Sequence, residues 1–217
     1  MDGHVLINIL GGLLIVTSLM VVLAKTPRRA AYIYGAQALV LVAILIAIGF
    51  ATHSEELYTW AATAFLTKVI LIPAMVLFGL KRMGGTGIDA PQAKTPWWLI
   101  AVVAAEVLLC FLAVGGIELP TAAEVKPALA ISLAHFFIGL TCIISQRNIV
   151  KQIFGFCLME NGSHVSLALL APEAPSLVEI GIATDAIFAV AIMMYFAVRI
   201  YRVTKTLDTN EIMNMKG

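Results

Sequence analysis

Six side chains able to carry a charge or a proton stand far inside long apolar runs: Lys68, Glu106, His135, Glu160, His164 and Asp185. A charged residue at the centre of a membrane helix costs roughly 2.5–3.5 kcal/mol, so Lys68, Glu106, Glu160 and Asp185 together cost on the order of 10 kcal/mol. A chain gains nothing structural from them unless they face one another or a wet path. Low dielectric and neighbouring charges bring carboxyl and amino groups into the range where they exchange protons near neutral pH. The chemistry these residues suit is proton relay.

The local sequence adds to this. Glu160 and His164 are four apart and share a helix face, with Asn161, Ser163 and Ser166 close enough in sequence to hydrogen-bond them or a water chain. Pro73 has no amide hydrogen, which takes the α-helical partner from the Val69 carbonyl and leaves backbone polarity beside Lys68. Structural readings stand beside the functional ones. For Lys68 the structural alternative is an ion pair with Glu106 or with another subunit's carboxylate, for His135 a hydrogen-bonded packing role, and for Glu106 a purely structural acid. Glu124, Lys126 and Glu179 fall at span ends, where solvation accounts for them. Gly155 and Gly162, seven apart on one face, predict close helix packing.

These residues need a frame that buries them. The chain has 217 residues, 61% hydrophobic and 12% charged, with a mean hydropathy of +0.97, which places it among all-α polytopic membrane proteins. A net charge of +1 without a basic, aromatic-rich cluster gives no sign of nucleic-acid binding. Cys110, Cys142 and Cys157 all lie in apolar runs with no paired spacing, so neither a disulfide framework nor a metal or iron–sulfur site is expected. The start, MDGHVLINIL, carries Asp2 where a cleaved signal peptide has Lys or Arg, and reads as the beginning of a first membrane helix.

Seven spans are predicted, at 5–24, 31–52, 58–80, 97–115, 126–146, 149–171 and 178–201. The long connection 81–96 is rich in Gly and Pro and reads as a flexible surface loop. Lys25, Arg28, Arg29, Lys81, Arg82, Lys94, Arg147, Lys151, Arg199, Arg202, Lys205 and Lys216 gather at alternate ends. The opposite ends hold Lys126 with Glu55, Glu56, Glu118, Glu124, Glu173 and Glu179. This predicts an outside N-terminus and a cytoplasmic C-terminus, with Trp97 and Trp98, and Tyr58 and Trp60, in the interfacial belts. Spans one to three and five to seven run the same way through the membrane, which leaves room for a faint internal duplication.

The segments GLTCIISQRNIVKQIFG, LMEN, ATDAIFAVAI and TLDTNEIMNMKG make residues 126–217 resemble the three-helix subunit family of respiratory complex I (NuoK) and of multisubunit sodium/proton antiporters (MrpC). Residues 1–125 then form an N-terminal set of four spans. Over the full length, including LTKVILIP, KPALAISLAHFFIGL and QIFGFCLMENGSH, the chain resembles the component E family of hydrogenase-4, from the formate hydrogenlyase membrane arm. The resemblance implies a non-catalytic, multi-pass subunit of a prokaryotic inner-membrane NiFe-hydrogenase, with no cofactor of its own. The NiFe centre and iron–sulfur clusters would sit in partner subunits, and other partners would be antiporter-like and quinone-channel-like membrane subunits, a hydrophilic hydrogenase arm, and lipid. It places the family's second membrane acid at Asp185 and its first at Cys157, with Glu160 one turn away as a displaced carboxylate. A cation/proton antiporter subunit and a purely structural scaffold of the membrane arm remain the alternatives.

Overall fold

A computed structural model describes residues 3–84, 98–117 and 125–214. Lys94, Trp97, Glu118, Glu124 and Lys216, with most of the 81–96 connection, lie outside the described residues. Among the described residues the chain is helical and forms no named strand. Helices α1 (Gly3–Leu23) and α2 (Pro27–Thr52) form a tight hairpin. The third span combines α3 (Glu56–Ala64), a π-helical stretch (Phe65–Leu71) and α4 (Ile72–Met83). Helices α5 (Trp98–Gly115), α6 (Lys126–Ser145), α7 (Ile149–Leu170) and α8 (Ser176–Thr204) follow, then a short α9 (Thr209–Met213). Among the described residues seven helices are long and apolar enough to cross a membrane, close to the spans expected.

The boundaries follow capping chemistry. Span two starts earlier than predicted because the Thr26 side chain accepts the Arg29 amide and Pro27 occupies the first turn, where its missing donor costs nothing. Asn148 caps α7 by accepting the amides of Val150 and Lys151. The tail then returns to this turn: Ile149 N–H donates to Leu207 O at 3.1 Å and Thr209 N–H to Arg147 O at 2.9 Å. Lys151, counted above with the basic residues at span ends, is buried and donates from Nζ to the Val22 carbonyl near the end of α1 at 3.0 Å.

Helix α7 is the centre of the bundle and α5 its periphery, with 61% and 22% of their spanning windows buried. The α6–α7 contact is a backbone contact. A Cβ on Gly155 would lie 2.8 Å from the Ile143 amide nitrogen, and one on Gly162 2.5 Å from that of Phe136. Small residues therefore set this spacing, as their heptad separation predicts. Helix α1 packs on α6, α2 on α7, and α4 on α8, so the N-terminal and C-terminal helices interlock.

The apolar core is split in two. One cluster contains Val21, Tyr34, Ala38, Ile72, Ile138, Phe154 and Leu158. The other contains Leu14, Leu41, Ala64, Ala128 and Val165. Ser18, Lys68, His135 and Asn161 are buried polar residues in the sequence gaps between the clusters, and Gln37 is buried at the edge of the first cluster, between Tyr34 and Ala38. They form a polar layer across the middle of the bundle.

Candidate functional site

The layer is one hydrogen-bonded chain. Lys68, fully buried, donates from Nζ to Glu160 Oε1 at 2.5 Å and to Asn161 Oδ1 at 2.8 Å. Asn161 Nδ2 donates to Gln37 Oε1 at 3.1 Å. Gln37 Nε2 lies 3.3 Å from His135 Nε2, and His135 Nδ1 lies 2.7 Å from Ser18 Oγ. The Ser18 hydroxyl donates to the Leu14 carbonyl. An amide nitrogen can only donate, so with this amide orientation His135 accepts at Nε2 and donates from Nδ1. Every donor then points the same way, from Lys68 to Ser18. The two amides cannot ionise; they hold and orient, while Lys68, Glu160 and His135 can carry protons.

Local sequence explains how Lys68 reaches this layer. Pro73 cannot return an α-type bond to Val69, and the residues just before it run as a π-helix, with Ile72 N–H donating to Thr67 O. Such a stretch adds a residue to the turn and re-aims the side chains around it, and π-bulges recur at functional sites. Lys68 sits inside it, pointing at α7. The Lys68–Glu160 pair settles the choice of partner: the lysine pairs with Glu160 and not with Glu106. Glu160 Oε2 is buried without a protein hydrogen-bond partner. Ser163 and Ser166 both donate back to α7 carbonyls, and only Asn161 of the three serves Lys68.

The other candidates fall elsewhere. Glu106 is half-buried in the α5–α6 contact, where it accepts the Thr141 hydroxyl. Asp185 is exposed on α8 and has no hydrogen bond or ion pair among the described residues. The buried stripe of α8 runs through Glu179, Ala183, Ala186 and Val190, and Asp185 lies off that stripe, facing away from α7. At about 1.5 Å per residue, Asp185 and Glu160 both lie about 15 Å from the α7–α8 turn. Asp185 is thus level with the polar layer but on the outside of the bundle.

Two residues expected to meet solvent or the interfacial belt at span ends are buried. Glu179 is not solvated: it is 1% exposed, with Oε2 2.7 Å from His164 Nε2. Its helix begins at Ser176 and turns this position inward. Trp60 is no belt residue either: it is fully buried, with its ring 5.4 Å from the His164 ring. Tyr58 and Trp98, at 43% and 47% exposure, do face outward. Sequence reasoning passed over Gln37 and Ser18. Gln37 gave a usable signal, since a lone amide in a long apolar helix must find a partner.

The described residues hold no group of three or more His, Cys, Asp or Glu able to bind a metal ion. The site's acids and bases are arranged in pairs and chains, which suits moving a proton and orienting it.

A family profile described as NADH-ubiquinone/plastoquinone oxidoreductase chain 4L matches residues 127–217. Along its whole length the chain is 46% identical to hydrogenase-4 component E of Escherichia coli K12, covering all of both proteins. The same holds for hydrogenase-4 component E of Shigella flexneri. An uncharacterised protein of Mycobacterium tuberculosis is 22% identical, with 98% of this chain and 96% of that protein covered. No solved structure matches the chain.

Proposed function

We propose that this chain, which belongs to the hydrogenase-4 component E family, is a non-catalytic membrane subunit of a complex I-like NiFe-hydrogenase and takes part in proton translocation through the ionisable groups of its buried polar layer. The observation that carries the reading is the unbroken contact chain Glu160–Lys68–Asn161–Gln37–His135–Ser18, drawn from five spans. A buried ion pair is poor value as a stabiliser compared with apolar packing, whereas a 2.5 Å amine–carboxylate pair exchanges a proton with little motion. Electron transfer and hydrogen chemistry occur in partner subunits. The Lys- and Arg-rich ends face the cytoplasm of an inner-membrane location.

The layer lies at one depth, so it moves charge in the membrane plane. Protonation of Glu160 removes the charge that holds Lys68, and the change is felt along the oriented amides as far as His135. Asp185, at the same depth on the outer face of α8, then meets a neighbouring subunit. A carboxylate at mid-depth is too costly to leave against lipid.

Glu160→Gln tests the reading. In membrane vesicles the variant assembly is expected to form normally and to evolve hydrogen, with proton translocation reduced to about a tenth or less, as for loss of a proton-exchanging group. Translocation at the wild-type level in an intact assembly overturns it. Asp185→Asn keeps the side chain's shape but cannot titrate. It is expected to lower proton translocation more than hydrogen evolution in reconstituted vesicles; equal loss of both makes Asp185 an assembly contact instead.

A further inference from the structure

Three helices converge near the α7–α8 turn on a second group of ionisable and polar side chains. His164 from α7 and Glu179 from α8 are both at most 1% exposed, with Nε2 and Oε2 2.7 Å apart. Trp60 from α3 covers the imidazole, its ring tilted by 42°. The Trp60 indole nitrogen, both ring nitrogens of His164 and both carboxylate oxygens of Glu179 have no aligned hydrogen bond in the protein, the 2.7 Å approach of Nε2 and Oε2 being an ion-pair contact. Buried polar atoms are otherwise almost always satisfied, so several together mark a place where water or an exchangeable proton is held. The surroundings are tied down. Ser176 donates to Glu56, and Ser54 donates to the Pro172 carbonyl at 2.6 Å, stapling the start of α3 to the α7–α8 turn.

His164 lies one turn beyond Glu160 on the same face of α7, a rise of about 6 Å. We infer that Glu179 is a further proton-carrying residue, reached from the Lys68–Glu160 pair through His164, and that this branch runs from the polar layer toward the α7–α8 turn. The inference rests on the relay reading given above. The step balances without any other reactant: His164 takes a proton at Nδ1, the proton on Nε2 passes to Glu179 Oε2, and the imidazole is left neutral. The reverse sequence carries a proton inward. Trp60 excludes bulk water from the imidazole face and keeps the ring aimed at Glu179. A contact that only pins α7 to α8 needs no titrating couple and gains nothing from leaving these atoms unsatisfied.

The test uses the whole assembly in membrane vesicles, with proton translocation expressed per hydrogen evolved and per assembled complex. Glu179→Gln keeps size and hydrogen-bonding capacity but cannot accept a proton. It is expected to assemble and to translocate at about a tenth of the wild-type ratio or less, with Glu179→Asp recovering at least part of the loss. If Glu179→Gln translocates normally while Glu160→Gln does not, Glu179 is a structural pin and the inference is overturned, with the relay intact. If both translocate normally, the relay reading itself fails. Should Glu179→Gln not assemble, Glu179→Asp and His164→Gln decide. Normal translocation in Glu179→Asp with loss in His164→Gln supports the branch, and normal translocation in His164→Gln overturns it.

Discussion

Replacing Lys68 with methionine is expected to destabilise the bundle by about 3–5 kcal/mol, because it leaves one member of a buried pair without its partner. The lysine is fully buried and holds both Glu160 Oε1 and Asn161 Oδ1. Its loss strands a carboxylate whose other oxygen already lacks a protein partner, and it frees the amide that positions Gln37. The double variant Lys68→Met/Glu160→Met separates stability from function. With both charges gone, apolar packing is expected to restore abundance and thermal stability to near the wild-type level. Proton translocation should stay lost. Thermal unfolding of the purified assembly, read beside vesicle translocation, checks both halves. A double variant that translocates protons removes the pair from the relay.

Gly162→Val is the second large effect. A Cβ at this position would sit 2.5 Å from the Phe136 amide nitrogen, 2.8 Å from its Cα and 2.9 Å from the Ser132 carbonyl oxygen. All three are backbone atoms, so no side-chain rotation relieves the clash and α6 must move away from α7. His135 lies beside that contact on α6, and Asn161 beside it on α7, so separation also breaks the layer. Overpacking costs about 1–3 kcal/mol in soluble cores and more where backbone must shift. The expectation is near-complete loss of assembled protein. Gly12→Ala is the control: a Cβ there meets nothing within 4 Å, and exchanging a mid-helix glycine for alanine should stabilise by about 0.5–1 kcal/mol. Immunodetection of the assembled complex in membranes distinguishes the two. Wild-type abundance of Gly162→Val means the α6–α7 spacing is slack.

The resemblance placed two carboxylates at the centre of the chemistry, and the structure treats them differently. Glu160 stands one turn from Cys157, which is buried, and takes its partner from the N-terminal helices. Lys68 thus joins α3–α4 to α7, and His135 and Ser18 extend the layer to α6 and α1. Asp185 stands at the same depth but faces outward. In the proposed mechanism the first acid works within the chain and the second at its boundary with a neighbour.

Hydropathy and the cost of charge in lipid are local properties, so the sequence alone determined the spans and the set of expensive side chains. The spacing of Gly155 and Gly162 likewise announced a close helix contact. Which charges meet is not local. The rotation of each helix about its axis decides it, and that is set by packing against neighbours far away in sequence. Counting residues from span ends therefore put Glu179 and Trp60 in solvent and the interfacial belt, whereas an inward stripe buries Glu179 and α3 turns Trp60 onto His164. Pro73 marked the irregular helix, but only the π-helical turn aimed Lys68 at Glu160. The sequence supplied the acids and bases, and the tertiary structure selected Lys68–Glu160 and His164–Glu179 as the pairs, because a charge in an apolar bundle is stable only beside the partner that packing brings to it.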